Sequence, residues 1–405
     1  MTQSVAEAGT RWRAHALVLA FGTFAVGTDA YVIAGVLPEL AHSLDIGVAA
    51  AGQLVTVFAI GYAVLSPVLA ALTSHWSRRT VLLTALVLFA LGNVATALAP
   101  GYGAVLAARL LAAAGAAMYT PNAAATAAAL AGAAKRGQAF SIVNVGLSSS
   151  LVLGAPLGTA IGALWGWRAT MWFLTALAVL ISPIIAWRLP SVQLPAAAGL
   201  RQRFAPLGDR RVLGALAITV IAFVGIFIPY TYISVVYAPV IEGRQNLLTV
   251  LLLVFGVAGT VGNLTAGHVA DRQGPRRVVV AVAVLLAVVF GIAVVARESL
   301  WAAIPVIVVS GLLSWSVLSP QQHRVVALRP EASALVVSLN AAAVYLGVSL
   351  SGVLGAAGLN LLGQAALPLL GSAFLIVAAL LTLATGRPRE PETAQPSPSA
   401  SATGS

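Results

Sequence analysis

Twelve long apolar runs separated by short polar loops limit this chain more than any other feature of its sequence. A helix rising 1.5 Å per residue needs about 20 apolar residues to cross the hydrocarbon core of a bilayer. Runs of that size lie at roughly 14–38, 49–72, 80–99, 102–130, 138–163, 169–187, 213–237, 247–270, 276–296, 300–320, 332–357 and 364–385. With no water to satisfy it, backbone in lipid must pair with itself, and a lone segment does so as a helix. The pattern predicts an all-α integral membrane protein of twelve transmembrane helices. Composition agrees: 8% of residues are charged, against about 25% in soluble domains. Arg11 and Arg13 precede the first run as they would a signal peptide, but the run is longer than a secretory h-region, so a retained helix is expected.

The basic residues orient the helices. With the N-terminus inside, 18 of the 22 Lys and Arg residues fall in cytoplasmic segments, and Arg168, Arg244 and Arg297 alone fall outside. The remaining one, Arg109, sits within a run. A missed helix would scramble this asymmetry, so it supports the count and places both termini in the cytoplasm of a multi-pass protein. Lys135 is the sole lysine, a usage that suggests a GC-rich bacterium and hence its inner membrane. The net charge of +11 comes from short clusters between runs rather than one solvated face, so nucleic acid is not expected as a partner. The chain has no cysteine, which excludes disulfides and thiolate sites. Its five histidines are dispersed, so no metal site is expected. No P-loop, nucleophile elbow or haem signature marks an enzyme.

The longest polar interruption, 188–212, divides the chain into a cytoplasmic N-terminus (1–13), a six-helix half (14–187), this cytoplasmic linker, a second six-helix half (213–386) and a tail (387–405). The tail is rich in proline and serine and is expected to be disordered. The halves resemble each other. Ser74 and Asp271 are 197 positions apart in matching loops, Pro121 and Pro320 are 199 apart, and Asn144 and Asn340 are 196 apart. Near-equal offsets imply duplicated, pseudo-symmetric bundles.

Within the first run the stretch GTDAYVIAGVLP places Asp29 where a charge costs about 2.5–3.5 kcal/mol, so it must face protein or water and find a partner. Asp29 lies nine residues before Pro38, and Arg109 nine after Pro100, which puts both at one depth, roughly 13 Å below the outer surface. Two readings stand. The pair is a static tie between helices one and four, or Asp29 alternates between a proton and cargo while Arg109, which cannot give up its proton, tunes it.

Three motifs carry a family resemblance over about residues 14–385. AGHVADRQGPRR (266–277) resembles the loop motif of the major facilitator superfamily, ARLLAAAGAA (108–117) its helix-four motif with an intramembrane arginine, and LGAPLGTAIG (153–162) the helix-five motif of its antiporters. With the helix-one stretch, the chain is similar to the twelve-helix drug:proton antiporters, near their arabinose-efflux-like and chloramphenicol-resistance-like members. It departs where Ser74 and Ser77 replace the usual Asp and Gly of the first-half loop, and where Asp29 stands for a frequent Glu. The resemblance implies the major facilitator fold and alternating access. It also implies proton-driven export, by a monomer without cofactors, of a small, apolar or amphipathic molecule competing with protons at or near Asp29. Sugar or metabolite export is the alternative, favoured by a cavity with several amide and hydroxyl contacts; a membrane sensor would need a signalling domain.

The same resemblance supplies the remaining candidates. Helices seven and ten line the cavity in this superfamily, so Tyr230, Tyr232 and Trp315, with Tyr31 of helix one, are expected cargo contacts, each weighed against ordinary packing. Gly154, Pro156 and Gly158 mark a bend in helix five; with Gly146 and Gly162 the glycines equally suit close packing. Arg78, Arg79 and Arg276 serve orientation and anionic lipid. Asp271 with Arg272 is expected to latch the two bundles, a role the two loops' arginines share.

Overall fold

A computed structural model describes residues 2–192, 205–242 and 244–385. The tail and most of the linker, with Arg201, Arg203, Arg387 and Arg389, lie outside the described residues. Twelve helices in it are long and apolar enough to cross a membrane. They are α1 (Thr2–Ser43), α2 (Val48–Leu72), α3 (Arg78–Leu98), α4 (Tyr102–Ala131), α5 (Arg136–Trp165), α6 (Trp167–Arg188), α7 (Arg210–Thr231), α8 (Gln245–Gln273), α9 (Pro275–Ala296), α10 (Leu300–Leu328), α11 (Ser333–Leu362) and α12 (Leu367–Ala384). Leu and Val side chains such as Leu17, Leu91, Leu180 and Leu285 stay exposed on the outside of this all-α body, as lipid solvation requires.

Each half packs within itself: α3 on α4 and α6, α2 on α4, and α1 on α5 in the first, and α8 on α10, α9 on α12, and α7 on α11 and α12 in the second. The duplication shows in the turns. Gly166 and Gly363, 197 apart, end α5 and α11 with φ of 87° and 81°, a conformation only glycine adopts without strain. Gly274 ends α8 the same way, with φ of 87°. Its counterpart in the first half, Ser77, is extended at φ −62° and caps α3 by accepting from the Thr80 N–H. The substituted loop thus makes its turn without glycine. At the start of α7, Asp209 accepts from the Arg211 N–H, and that bond holds its carboxyl below the usual carboxylate range.

Two features differ from the hydropathy reading. Helix α1 continues through Pro38 to Ser43, so Pro38 is not its end. Helix α5 contains a π-turn, Ser150–Gly154, immediately before the continuation that carries Pro156. Proline cannot donate to the preceding turn, and a wider turn re-registers the freed carbonyls. The wider turn lies in the stretch where a bend was expected. The glycines around it face α1 of the same bundle: a Cβ at Gly154 would fall 1.9 Å from Thr28 Oγ1, and one at Gly146 2.0 Å from the Ala20 carbonyl oxygen. Gly158 packs against Val32 likewise.

The bundles meet along α2 with α11 and α5 with α8. On the side away from the linker, Gln53 donates to the Gly352 carbonyl (3.2 Å) and Thr56 to that of Ser349 (3.0 Å). Across the other seam, Gly256 of α8 lies against the Leu151 carbonyl of the π-turn.

Candidate functional site

A cavity of about 380 Å³ lies between the bundles. Its lining reaches Phe140 of α5, Gln322 of α10 and Val337 of α11, all near the linker-side ends of their helices, while the far side is closed by the α2–α11 bonds above. The cavity thus opens toward the linker side. Among the described residues lining it none is charged.

Its chemistry is graded. Tyr31, Phe58, Tyr62, Phe227, Trp315 and Tyr345 wall the deep end. Tyr31 meets Trp315 edge-on at 5.7 Å, and Tyr62 stacks on Tyr345 across the bundles at 3.8 Å between ring centres. Polar amides lie nearer the mouth: Asn340 precedes Tyr345 from the linker end of α11, and Gln322 lies beyond Trp315 toward that end of α10. Asn144 and Asn340, matched in the duplicated sequence, both line the cavity from opposite bundles.

Behind the wall of the first bundle, α1 and α4 bring Asp29 and Arg109 together. The Arg109 Nη1 donates to Asp29 Oδ1 in an ion pair whose members are 1% and 0% exposed. Asn93 of α3 approaches the other oxygen, its Nδ2 3.5 Å from Oδ2. Phe58 of α2 covers the guanidinium, with Cζ 4.5 Å from the ring centroid. Neither Asp29 nor Arg109 lines the cavity; Phe58 does. Depth alone brings the two charges to one level, and the rotation of α1 turns the pair away from the cavity and Tyr31 toward it.

The other expected positions separate. Tyr31 and Trp315 line the cavity. Tyr230 stands behind them, its ring 5.5 Å from Phe227 and 5.1 Å from Phe255. Tyr232 does not line the cavity either. Helix α7 ends at Thr231, and Tyr232 turns into the seam, donating to the Gly352 carbonyl at 2.9 Å and filling the space that Gly52 and Gly355 leave by lacking a Cβ. It belongs to the far-side closure.

The latch expected at Asp271 is not formed in this structure. The linker-side ends are parted around the cavity, and Asp271, 71% exposed, faces His323 of its own bundle at 3.9 Å. Arg272 is exposed. Arg276 donates to the Thr382 and Leu383 carbonyls, capping the C-terminal end of α12. Arg78 is buried and donates to Asn122 of α4 within the first bundle, and Arg79 is half-buried. Sequence reasoning missed Phe58, Tyr62, Asn93 and Tyr345. They differ in no way from neighbouring apolar or small polar residues until the helices are rotationally set; of the cavity amides, Asn144 and Asn340 alone carried a signal, their repetition.

Known proteins agree with this architecture. The family model described as Major Facilitator Superfamily matches residues 19–322 and 243–404. The chain is 32% identical over 338 residues to YbcL of Bacillus subtilis (strain 168), an uncharacterized MFS-type transporter, covering 84% of this chain and 87% of that one. It is 31% identical over 377 residues to the inner membrane transport protein YdhP of Escherichia coli (strain K12), covering 93% and 97%. It is 30% identical over 375 residues to a chloramphenicol resistance protein of Streptomyces lividans, covering 90% and 94%. Among solved structures, the nucleoside transporter NupG superposes with a TM-score of 0.75 at 12% identity, over 93% of this chain and 99% of that one. A bacterial homolog of the human lysosomal transporter Spinster gives 0.74 at 16%, over 93% and 97%. At such identities the structures share the fold alone.

Proposed function

This chain belongs to the Major Facilitator Superfamily, a family of membrane transporters, and on that premise we propose that it is a proton-coupled exporter working by alternating access in the bacterial inner membrane. Its linker side and both termini face the cytoplasm, as the distribution of basic residues implies. Cargo enters the cavity from that side or from the inner leaflet, and proton entry drives its release outside. The protein acts as a monomer and needs no cofactor besides the proton gradient.

The observation that carries this reading is the buried Asp29–Arg109 pair set directly behind the cavity wall. An ionisable residue inside a span is costly, and a buried one held by a partner points to a proton or ion path. Arginine keeps its charge, so Asp29 is the group able to take and release the proton. An aromatic deep end suits an apolar or amphipathic cargo, and the likeness to a chloramphenicol resistance protein supports efflux of drug-like molecules.

The amides nearer the mouth, Asn144, Asn263, Gln322 and Asn340, favour a second reading, export of a sugar or other metabolite. Accumulation of labelled antibiotics and labelled sugars in cells with and without the protein separates the two. In liposomes, Asp29→Asn should reduce pH-gradient-driven uphill transport to the level of protein-free vesicles while leaving the protein folded. Wild-type uphill transport by that variant would end the proton-switch reading.

A further inference from the structure

Phe58 both lines the cavity and touches the ion pair. Its ring is 3% exposed, forms part of the cavity wall, and carries the Arg109 guanidinium at 4.5 Å. Arg109 uses Nη1 for Asp29, and its Nε is buried without a hydrogen-bond partner among the described residues. The Asn93 Oδ1 beside the pair is likewise unpartnered. Among the described residues, the contacts of the guanidinium are one carboxylate and one aromatic face.

When Asp29 takes a proton its charge disappears and that of Arg109 does not. The protonated pair is a bare cation in a desolvated site, where attraction to an aromatic face is stronger than at a surface. A cation neutralised by a carboxylate draws less from the ring than a bare one. The ring thus stabilises the protonated state of the pair more than the ionised state.

Among the described residues, no other charged side chain pairs with Asp29 or Arg109. The helices packed on α1 are α2, α4, α5, α6 and α8, with α7 and the turn after it. Helix α2 has no charged residue, and Arg109 is the one charge on α4. Those of α5, α6, α7 and α8 (Arg136, Arg168, Arg188, Arg210, Arg211, His268, Asp271 and Arg272) lie at or near helix ends, and on α1 Arg13, His15, Glu39 and His42 lie toward the two ends of its membrane-spanning part, Trp12–Ser43. Helix α3 presents neutral Asn93. The nearby phenols are Tyr31, Tyr62, Tyr119 and Tyr230; Tyr119 donates to the Leu19 carbonyl and Tyr230 to that of Tyr31.

We infer that Phe58 is a positioning residue of the proton switch: its ring takes over the guanidinium of Arg109 when Asp29 is neutral, so the proton affinity of Asp29 is set from the wall of the cargo cavity. This rests on the proton-coupled reading above. Cargo and proton then act on two sides of one ring and one guanidinium, and coupling requires no contact between cargo and Asp29.

The test follows the carboxyl C=O stretch of Asp29 in infrared difference spectra of the full chain in liposomes, with Asp29→Asn as the blank. If no band lost in that blank titrates between about pH 4 and 10, the proton-switch reading falls and this inference falls with it. If the band titrates, only the inference is at stake. Phe58→Leu should lower its midpoint by about half to one pH unit and Phe58→Trp, with the stronger aromatic face, should raise it. Fluorinated phenylalanines at position 58 weaken the face without opening the wall, and each added fluorine should lower the midpoint further. The series decides even where Phe58→Leu fails to fold. A midpoint unchanged by fluorination, or lowered by Phe58→Trp, would overturn the role of Phe58.

Discussion

The two bundles repeat each other at near-equal offsets in sequence and differ in what they bury. The first holds an ion pair in mid-span, Asp29 with Arg109. The internal offsets of 196–199 carry those positions to 225–228 and 305–308 in the second, which read GIFI and PVIV. No charge survives there. The second bundle instead buries a polar network near the cavity mouth, in which Thr219 donates to the Asn340 Oδ1 (2.8 Å) and Gln321 donates to Thr219 (3.1 Å) and to the Ala215 carbonyl (2.8 Å). Arg324 bonds the other end of Gln321 from nearer the linker side. Duplication supplied two similar frames. Charge chemistry was placed in one of them, and the other contributes aromatic and amide surface to the same cavity.

The largest break in this comparison should come from the charged bundle. Removing one partner of a buried pair leaves an unpaired charge and typically costs about 3–5 kcal/mol, so Arg109→Ala should lower thermal stability sharply. The double variant Asp29→Asn with Arg109→Ala removes both charges and should regain most of that stability without regaining uphill transport. A static tie between α1 and α4 predicts that transport returns with stability. Measuring both in one preparation separates the tie from the switch.

The second bundle should respond more mildly. Asn340→Ala deletes an acceptor of Thr219, whose hydroxyl keeps the Ala215 carbonyl (3.2 Å) as a second acceptor. The expected loss is about 1 kcal/mol, visible as a small fall in melting temperature, with the pH dependence of transport unchanged. A shifted pH profile in Asn340→Ala would place proton chemistry in the second bundle as well and erase the distinction drawn here.

The smallest effect belongs to the loops. Asp271 keeps the family pattern and Ser74 does not, so closure of the linker side should depend on the second-half loop. A partly exposed ion pair made only in the closed form is worth about 1 kcal/mol, or roughly a fivefold change in the ratio of the two forms. Asp271→Asn should favour the form seen here, in which that acid faces only His323 of its own bundle, and slow turnover. Ser74→Ala should do little. Distances between spin labels on the linker-side ends of the two bundles report the shift, and equal responses from both variants would remove the asymmetry.

Much of this molecule was legible one segment at a time. Hydropathy accumulates along the chain, so twelve runs of sufficient length specify twelve helices before any packing is considered. Depth is also local, because a helix advances a fixed distance per residue. Asp29 and Arg109 could therefore be matched as neighbours from sequence, although the marker used, Pro38, lies inside α1 rather than at its end. Tyr31 and Trp315, two of the positions singled out from sequence, line the cavity.

Rotation about each helix axis was not legible. In a bilayer the lipid-facing and protein-facing sides of a span are both apolar, so no strong periodicity fixes which side faces in. Packing decided that Asp29 points away from the cavity while Tyr31 points into it, and that the Phe58 ring lies between the Arg109 guanidinium and the cavity. Packing also turned the α5 glycines toward α1 and sent Tyr232 into the far-side seam once α7 ended at Thr231. The sequence by itself determined the fold, its duplication and the one carboxylate in mid-membrane. Only the tertiary structure decided which face of each helix meets the cavity, because that choice is made by side-chain fit between helices and leaves little trace in the order of residues along any one of them.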